Sequence, residues 1–216
     1  MIQKGDTQIV IDTGPDFRQQ MLLAKTKKLD AVVFTHEHKD HVAGLDDIRA
    51  FNFKSGGKAM DVFATARVQE ALKREFSYVF EENKYPGVPE VRLFEVENEP
   101  FQIGEMNVIP IDVMHHKLPI KAYRIDDFAY VTDANYISPE EKKKLMGLEV
   151  LILTALRKEK HLSHYNLEEA IAVVRELKPK KAYFTHISHL MGKHQEVQAE
   201  LPEGVELAYD GLEIRI

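Results

Sequence analysis

Seven consecutive residues, Thr35-His36-Glu37-His38-Lys39-Asp40-His41, restrict this chain more than any other feature. They follow a β-branched run at residues 29–35 (LDAVVFT) that reads as a buried strand. In an extended segment residues two apart share a face, so His36 and His38 present their imidazoles to one cation while Glu37 points away. Asp40 and His41 are adjacent and would diverge in a strand. If the chain turns into a helix there, both reach a second ion beside the first, so the spacing implies two metal ions. The competing reading is a solvated, charged turn with incidental histidines.

Composition narrows the donors. The chain has 10 His and no Cys. A disulfide framework, a thiolate nucleophile and sulfur-ligated zinc are therefore excluded, and any metal is held by nitrogen and oxygen. The histidines fall into groups: His36, His38 and His41; His115 and His116; His161 and His164; His186, His189 and His194.

At 216 residues, with 44% hydrophobic and 30% charged residues, the chain has the length and balance of one globular domain, expected over residues 1–216. No apolar stretch approaches the roughly 20 residues that span a bilayer, and residues 1–13 are too polar for a signal-peptide core. A cytoplasmic protein with no membrane partner is expected. The formal charge of −6 argues against a general nucleic-acid binder, because neutralising phosphates needs a basic surface.

Residues 7–11 (TQIVI), 16–25 and 29–35 read as strand, helix, strand. A helix is expected at HVAGLDDIRAF, beginning at His41, and another over residues 65–80 with Thr65 as its N-cap. Strands are expected at 91–96, 106–113, 121–125 and 128–132, with Asp126-Asp127 as a tight turn and the middle of the chain antiparallel. A helix follows from Ser138, then a strand at 149–154, a helix at 166–177, a strand at 181–185 and a closing hairpin on Asp210-Gly211. Helices alternating with strands at both ends predict an α/β fold with sheets covered by helices.

The His-x-His-x-Asp-His loop resembles the hallmark of the metallo-β-lactamase fold superfamily, and the resemblance extends over nearly the whole chain. It implies a four-layer αββα sandwich and a ligand set of His36, His38, Asp40, His41, His116 or His115, Asp133 and His186. Asp12, in VIDTG, matches the acidic position that organises the metal loop from behind, although Asp-Thr-Gly at a strand end is also an ordinary turn. Asp133, in YVTDAN, resembles the carboxylate shared by both ions. Counting back from Ala122-Tyr123 favours His116 over His115 and leaves both open. His186, in YFTHISH, resembles the last ligand of the second ion. His189 reads either as a residue behind the ligands or as a packed histidine.

Within the superfamily the chain is similar to phosphodiesterases that open cyclic ribose phosphates, on the segments DTGPDFRQQM, THEHKDHVAGLDDIRAFN, THISH and YDG. That likeness implies two divalent ions, zinc or manganese, and a small phosphodiester substrate. It also makes Asp40 part of the catalytic set and His164, in HLSHYN, the proton donor to the leaving oxygen; the rival role for His164 is helix capping near Asn166. The alternatives on the same site are hydrolysis of a lactone, thioester or other acyl bond, or metal binding without catalysis. Relatives start with an extra strand and a metal clip containing Cys. A sheet lacking its first strand is therefore expected here, either because the chain is truncated or its start misassigned, or because the domain tolerates an exposed edge through which it could form a homodimer.

Overall fold

The computed structural model describes residues Met1–Ile216, which divide into two compact units, Met1–Met106 and Asn107–Ile216.

The first unit contains β1 (Ile2–Lys4), β2 (Thr7–Ile11), α1 (Phe17–Leu23), β3 (Ala31–Val33), α2 (Lys39–Val42), a 3-10 turn (Leu45–Ile48), α3 (Arg49–Lys54), β4 (Met60–Ala64), α4 (Ala66–Glu75), α5 (Ser77–Phe80), β5 (Val91–Glu95) and β6 (Phe101–Ile103). Strands β1 to β5 form one sheet in sequence order, with β1 antiparallel to β2 and the others parallel. The apolar faces of its strands and helices converge on one cluster that includes Val10, Phe17, Val32, Leu45, Ile48, Phe51, Val62 and Leu72. Each large apolar side chain taken fully out of water there contributes about 1.5–3 kcal/mol.

Three expectations change in this unit. A short strand, β1, precedes β2 and pairs with it from Ile2 opposite Ile9 to Lys4 opposite Thr7. β5 lies parallel to β4 instead of joining an antiparallel meander, because α4 and α5 carry the chain back across the sheet. The single helix expected beyond His41 is broken into α2, the 3-10 turn and α3. Gly44 is the reason: a Cβ there would lie 2.3 Å from the Gly14 carbonyl oxygen and 2.7 Å from Phe17 Cβ, so the chain passes too close to the preceding loop to continue one straight helix. The N-cap at Thr65 is as expected, its side chain accepting from Val68 N–H.

The second unit holds β7 (Met106–His115), β8 (Leu118–Ile125), β9 (Phe128–Val131), β10 (Tyr136–Ile137), α6 (Pro139–Lys144), β11 (Val150–Thr154), α7 (Leu167–Leu177), β12 (Lys181–Thr185), α8 (His194–Glu200) and β13 (Val205–Leu207). Its strands run in the order β10-β7-β8-β9-β11-β12-β13. β7, β8 and β9 are antiparallel neighbours, turning between the last two at Asp126 (φ 52°), and β9, β11, β12 and β13 are parallel. Since β7 and β9 both oppose β8, the carboxyl ends of β7, β9, β11 and β12 emerge along one edge. In parallel sheets that edge is where ligands are bound.

Helix α6 starts on a Ser138 cap with Pro139 at its first position, and α7 on a full capping box between Asn166 and Glu169. The closing hairpin is a correction. Asp210-Gly211 does form a turn, with Leu212 N–H donating to the Tyr209 carbonyl at 3.0 Å, but no strand follows it. Leu212 and Ile214 instead pack against Val150, Ile152 and Tyr183 on the sheet, and β13 has already paired parallel to β12.

Candidate metal centre

In the first unit, β2 and β3 end level with each other, Ile11 opposite Val33, so Asp12 and the His36 loop leave the sheet side by side. Asp12 Oδ1 accepts the Thr35 backbone N–H at 2.8 Å, and Oδ2 accepts the Thr35 hydroxyl at 2.8 Å and His41 Nδ1 at 2.7 Å. Asp12 therefore stands behind the metal loop and holds it at two points. His38 is still extended (φ −64°, ψ 150°), which puts His36 and His38 on one face with ring centroids 4.6 Å apart. Glu37 turns outward to Arg67 Nε at 2.6 Å, and Lys39 pairs with Glu75, so both outward side chains of the loop are tied to α4. The chain becomes helical at Lys39. That turn brings the His41 ring to 4.1 Å from His36 and sets Asp40 Oδ2 3.3 Å from His41 Nε2.

In the second unit, residues from the strand ends and from the loop before α7 cluster around the buried Asp133. Thr132 Oγ1 donates to Asp133 Oδ1 at 2.6 Å, His186 Nδ1 lies 3.1 Å from that same oxygen, and His164 Nε2 lies 3.4 Å from Oδ2. The His164 ring stacks on His186 at 5.0 Å and meets His115 edge-on at 4.6 Å. His115, Asp133 and His164 each offer one ligand atom within a common radius that could hold a metal ion. His161, left without a role by the sequence, approaches the outer side of His164, with the two Nδ1 atoms 3.1 Å apart. Desolvation, then the facing His164, lower its pKa.

The choice between His115 and His116 changes. β7 runs on through His115, and its buried alternation Ile111, Val113, His115 turns that ring inward, where its Nδ1 donates to the Ser163 carbonyl at 2.9 Å. His116 sits in the turn at φ 56° with an exposed side chain, and only its backbone N–H is engaged, by Asn135 Oδ1 at 2.7 Å. His164 is not the helix cap, because Asn166 fills that position itself. His189 is exposed in the turn beyond β12. Thr35, Thr132, Ser163 and Asn135 support the site and were missed in the sequence. The available signal was a threonine immediately before a candidate ligand, in Thr35-His36, Thr132-Asp133 and Thr185-His186.

The donor sets suit a divalent transition metal: imidazole nitrogens and carboxylate oxygens without sulfur. His36 Nε2 and His38 Nδ1 face each other at 3.1 Å. Two nitrogens bound tetrahedrally at zinc distances of ~2.0–2.1 Å would stand about 3.3 Å apart. Backbone conformation points to the same residues. Asp12 (φ 60°), Asp133 (φ 55°) and His186 (φ 56°) are non-glycine residues in the left-handed region, each just past a strand end. Such conformations cost of order 1–2 kcal/mol and collect where function demands a sharp exit from a strand.

Residues 7–187 match the family model described as the beta-lactamase superfamily domain. The chain belongs to that superfamily, the metallohydrolases of the metallo-β-lactamase fold, and the α/β class read from the sequence is the one it has. A solved structure described as a new diphosphatase from the PhnP family is 36% identical, with a TM-score of 0.92 over 99% of this chain and 82% of that one. A Porphyromonas gingivalis protein named octanoyltransferase is 39% identical over 99% of this chain, which spans only 43% of that protein's length. The exodeoxyribonuclease WalJ of Streptococcus pneumoniae is 26% identical, over 97% of this chain and 88% of its own. No helix is long and apolar enough to cross a membrane.

Proposed function

We propose that the chain is a metal-dependent phosphodiesterase acting on a small phosphodiester of the cyclic ribose phosphate class. The observation that carries this reading is His164. It is a buried imidazole with Nε2 turned to Asp133 and Nδ1 held by Ser163 Oγ at 3.0 Å, and helix capping does not account for it. The PhnP-family diphosphatase, named for cleaving a diphosphate, and the exodeoxyribonuclease, named for cleaving a phosphodiester, both act at phosphorus and support it.

The residues that would hold metal are His36, His38, Asp40 and His41 in the first unit and Asp133 and His186 in the second, as the resemblance implies, with His115 in place of His116 because its ring is the buried one, and zinc or manganese as the metal. Bound divalent ions supply Lewis acidity and a water acidic enough to ionise near neutral pH. The chain's own groups do the rest. Asp12 and Thr35 orient the imidazoles of the metal loop, Thr132 fixes one oxygen of Asp133, and His164 gives a proton from Nε2 to the departing alkoxide. The substrate is read as a free small molecule in the cytoplasm, with neither membrane nor nucleic acid as partner. The edge strand β1 offers unpaired backbone groups for self-association into a homodimer, which the mass in solution tests.

A second reading, hydrolysis of an acyl bond on the same site, is favoured by the kinship to the protein named octanoyltransferase. Bis-nitrophenyl phosphate, a cyclic ribose phosphate and nitrophenyl acyl esters, offered to the same preparation, separate the two. Phosphodiester turnover that chelator abolishes and manganese or zinc restores is the expected result. Turnover of acyl esters alone supports the second reading, and bound metal without turnover of either class defeats both.

A further inference from the structure

The state of two imidazoles in the metal loop follows from counting protons around one carboxylate. Asp12, its side chain 9% exposed, receives three hydrogen bonds: the Thr35 N–H on Oδ1, and the Thr35 hydroxyl and His41 Nδ1 on Oδ2. An ionised carboxylate only accepts, so His41 must carry its proton on Nδ1, and the Thr35 hydroxyl must give its single proton to Asp12. The same hydroxyl oxygen lies 2.9 Å from His36 Nδ1. With its proton committed it has only lone pairs to offer, so His36 Nδ1 must be the donor.

We propose that Thr35 is a positioning residue that relays the charge of Asp12 to His36, fixing that ring, like His41, as the Nδ1-protonated tautomer with a bare Nε2. Which ring nitrogen of a histidine is left free is set by the hydrogen bond made by the other one. The distinction matters because a neutral histidine in water prefers its proton on Nε2, the atom of His36 that faces His38 Nδ1 at 3.1 Å. Unassisted, His36 would tend to present an N–H where a ligand must present a lone pair. One acid thus prepares two imidazoles, one directly and one through a hydroxyl. Serine could replace that hydroxyl, and the isosteric valine could not.

The tautomers hold whatever bond the enzyme cleaves; their consequence for metal rests on His36 being a ligand, as proposed above. Ring nitrogen and carbon NMR shifts of the full metal-free chain, at a pH where the imidazoles are neutral, read the tautomers directly. Wild type should show Nδ1–H at both His36 and His41. In Thr35→Val, His36 should move toward Nε2–H while His41, still held by Asp12, stays unchanged, and zinc affinity by competition titration should fall roughly 10- to 100-fold, the usual effect of removing a group that orients a ligand. Thr35→Ser should restore both tautomer and affinity. Nε2–H at His36 in the wild type overturns the inference with no variant needed. So does a folded Thr35→Val that keeps Nδ1–H and wild-type zinc affinity. A wild-type chain with both tautomers as stated but no phosphodiester turnover would sink the functional reading alone.

Discussion

On the proposed reading His164 is the proton donor, and its setting says what its removal should do. The ring is pinned on both sides, by Ser163 and His161 at Nδ1 and by stacking on His186, so it is held for a task at Nε2. As a proton donor it should matter in proportion to how badly the leaving group needs a proton. His164→Ala is expected to keep bound metal, to slow alkyl phosphodiesters about 10²- to 10⁴-fold, and to slow nitrophenyl esters far less, since nitrophenolate leaves without help. Equal slowing of both classes would remove the role. At this scale the convergence of His36, His38, Asp40 and His41 was legible because they lie within six residues, and local geometry alone dictates their directions. His115 was not legible in the same way. Its direction depends on where β7 ends, and that is set by pairing with β8, His115 opposite Leu118. The roles of Thr35 and Thr132 need hydrogen-bond partners that no spacing rule supplies.

Among the elements, the loop after β2 and the turn into α2 behave as one piece. Thr13 N–H donates to the His41 carbonyl at 2.7 Å, Gly44 N–H donates to the Thr13 carbonyl at 2.8 Å, and a Cβ on Gly14 would come within 2.7 Å of the Asp40 carbonyl oxygen. Gly44→Ala should therefore push apart the two segments that hold His41. A loss of about 1–3 kcal/mol, typical of overpacking, is expected in denaturant unfolding, together with weakened metal binding. A variant as stable as the wild type would mean that the approach of Gly44 to Gly14 is looser than described. Asn166→Ala tests a different element: loss of the α7 capping box should cost about 1–2 kcal/mol while leaving the metal loop's affinity intact, because Asn166 bonds only within its own helix start. Helices α4, α6 and α7 were readable from such caps. β4, β6, β10 and α8 were not. β6 and β10 are only three and two residues long and α8 buries only Val197, so their existence is decided by pairing and packing; β4 is as long as β2 and alternates in burial, and its local pattern was overlooked.

For the molecule as a whole, the alternation of strands and helices was enough to give the fold class, because repeated strand-helix crossovers leave few arrangements other than parallel strands flanked by helices. What the pattern could not show was that the chain divides into two compact units, since that depends on contacts and not on composition. Metal links this scale back to the residues. The chain carries a formal charge of −6, and acids and imidazoles are packed together, as the buried Asp133 is with the buried His164 and the half-buried His186. Ions that bind only the folded state stabilise it by mass action, by about 4 kcal/mol at a thousand times the dissociation constant. For a chain of this size each kcal/mol moves the unfolding midpoint by roughly 2–4 °C. Stripping the metal with chelator should therefore lower the midpoint by roughly 8–16 °C, and zinc or manganese should restore it. Magnesium at the same concentration should restore little, since it favours oxygen ligands and keeps its waters. His36→Ala should lose part of the zinc-dependent shift while unfolding at nearly the same temperature as the wild type in chelator. A midpoint indifferent to chelator would mean that the imidazoles and carboxylates brought together at the strand ends hold no ion, and the di-metal reading would fall with it.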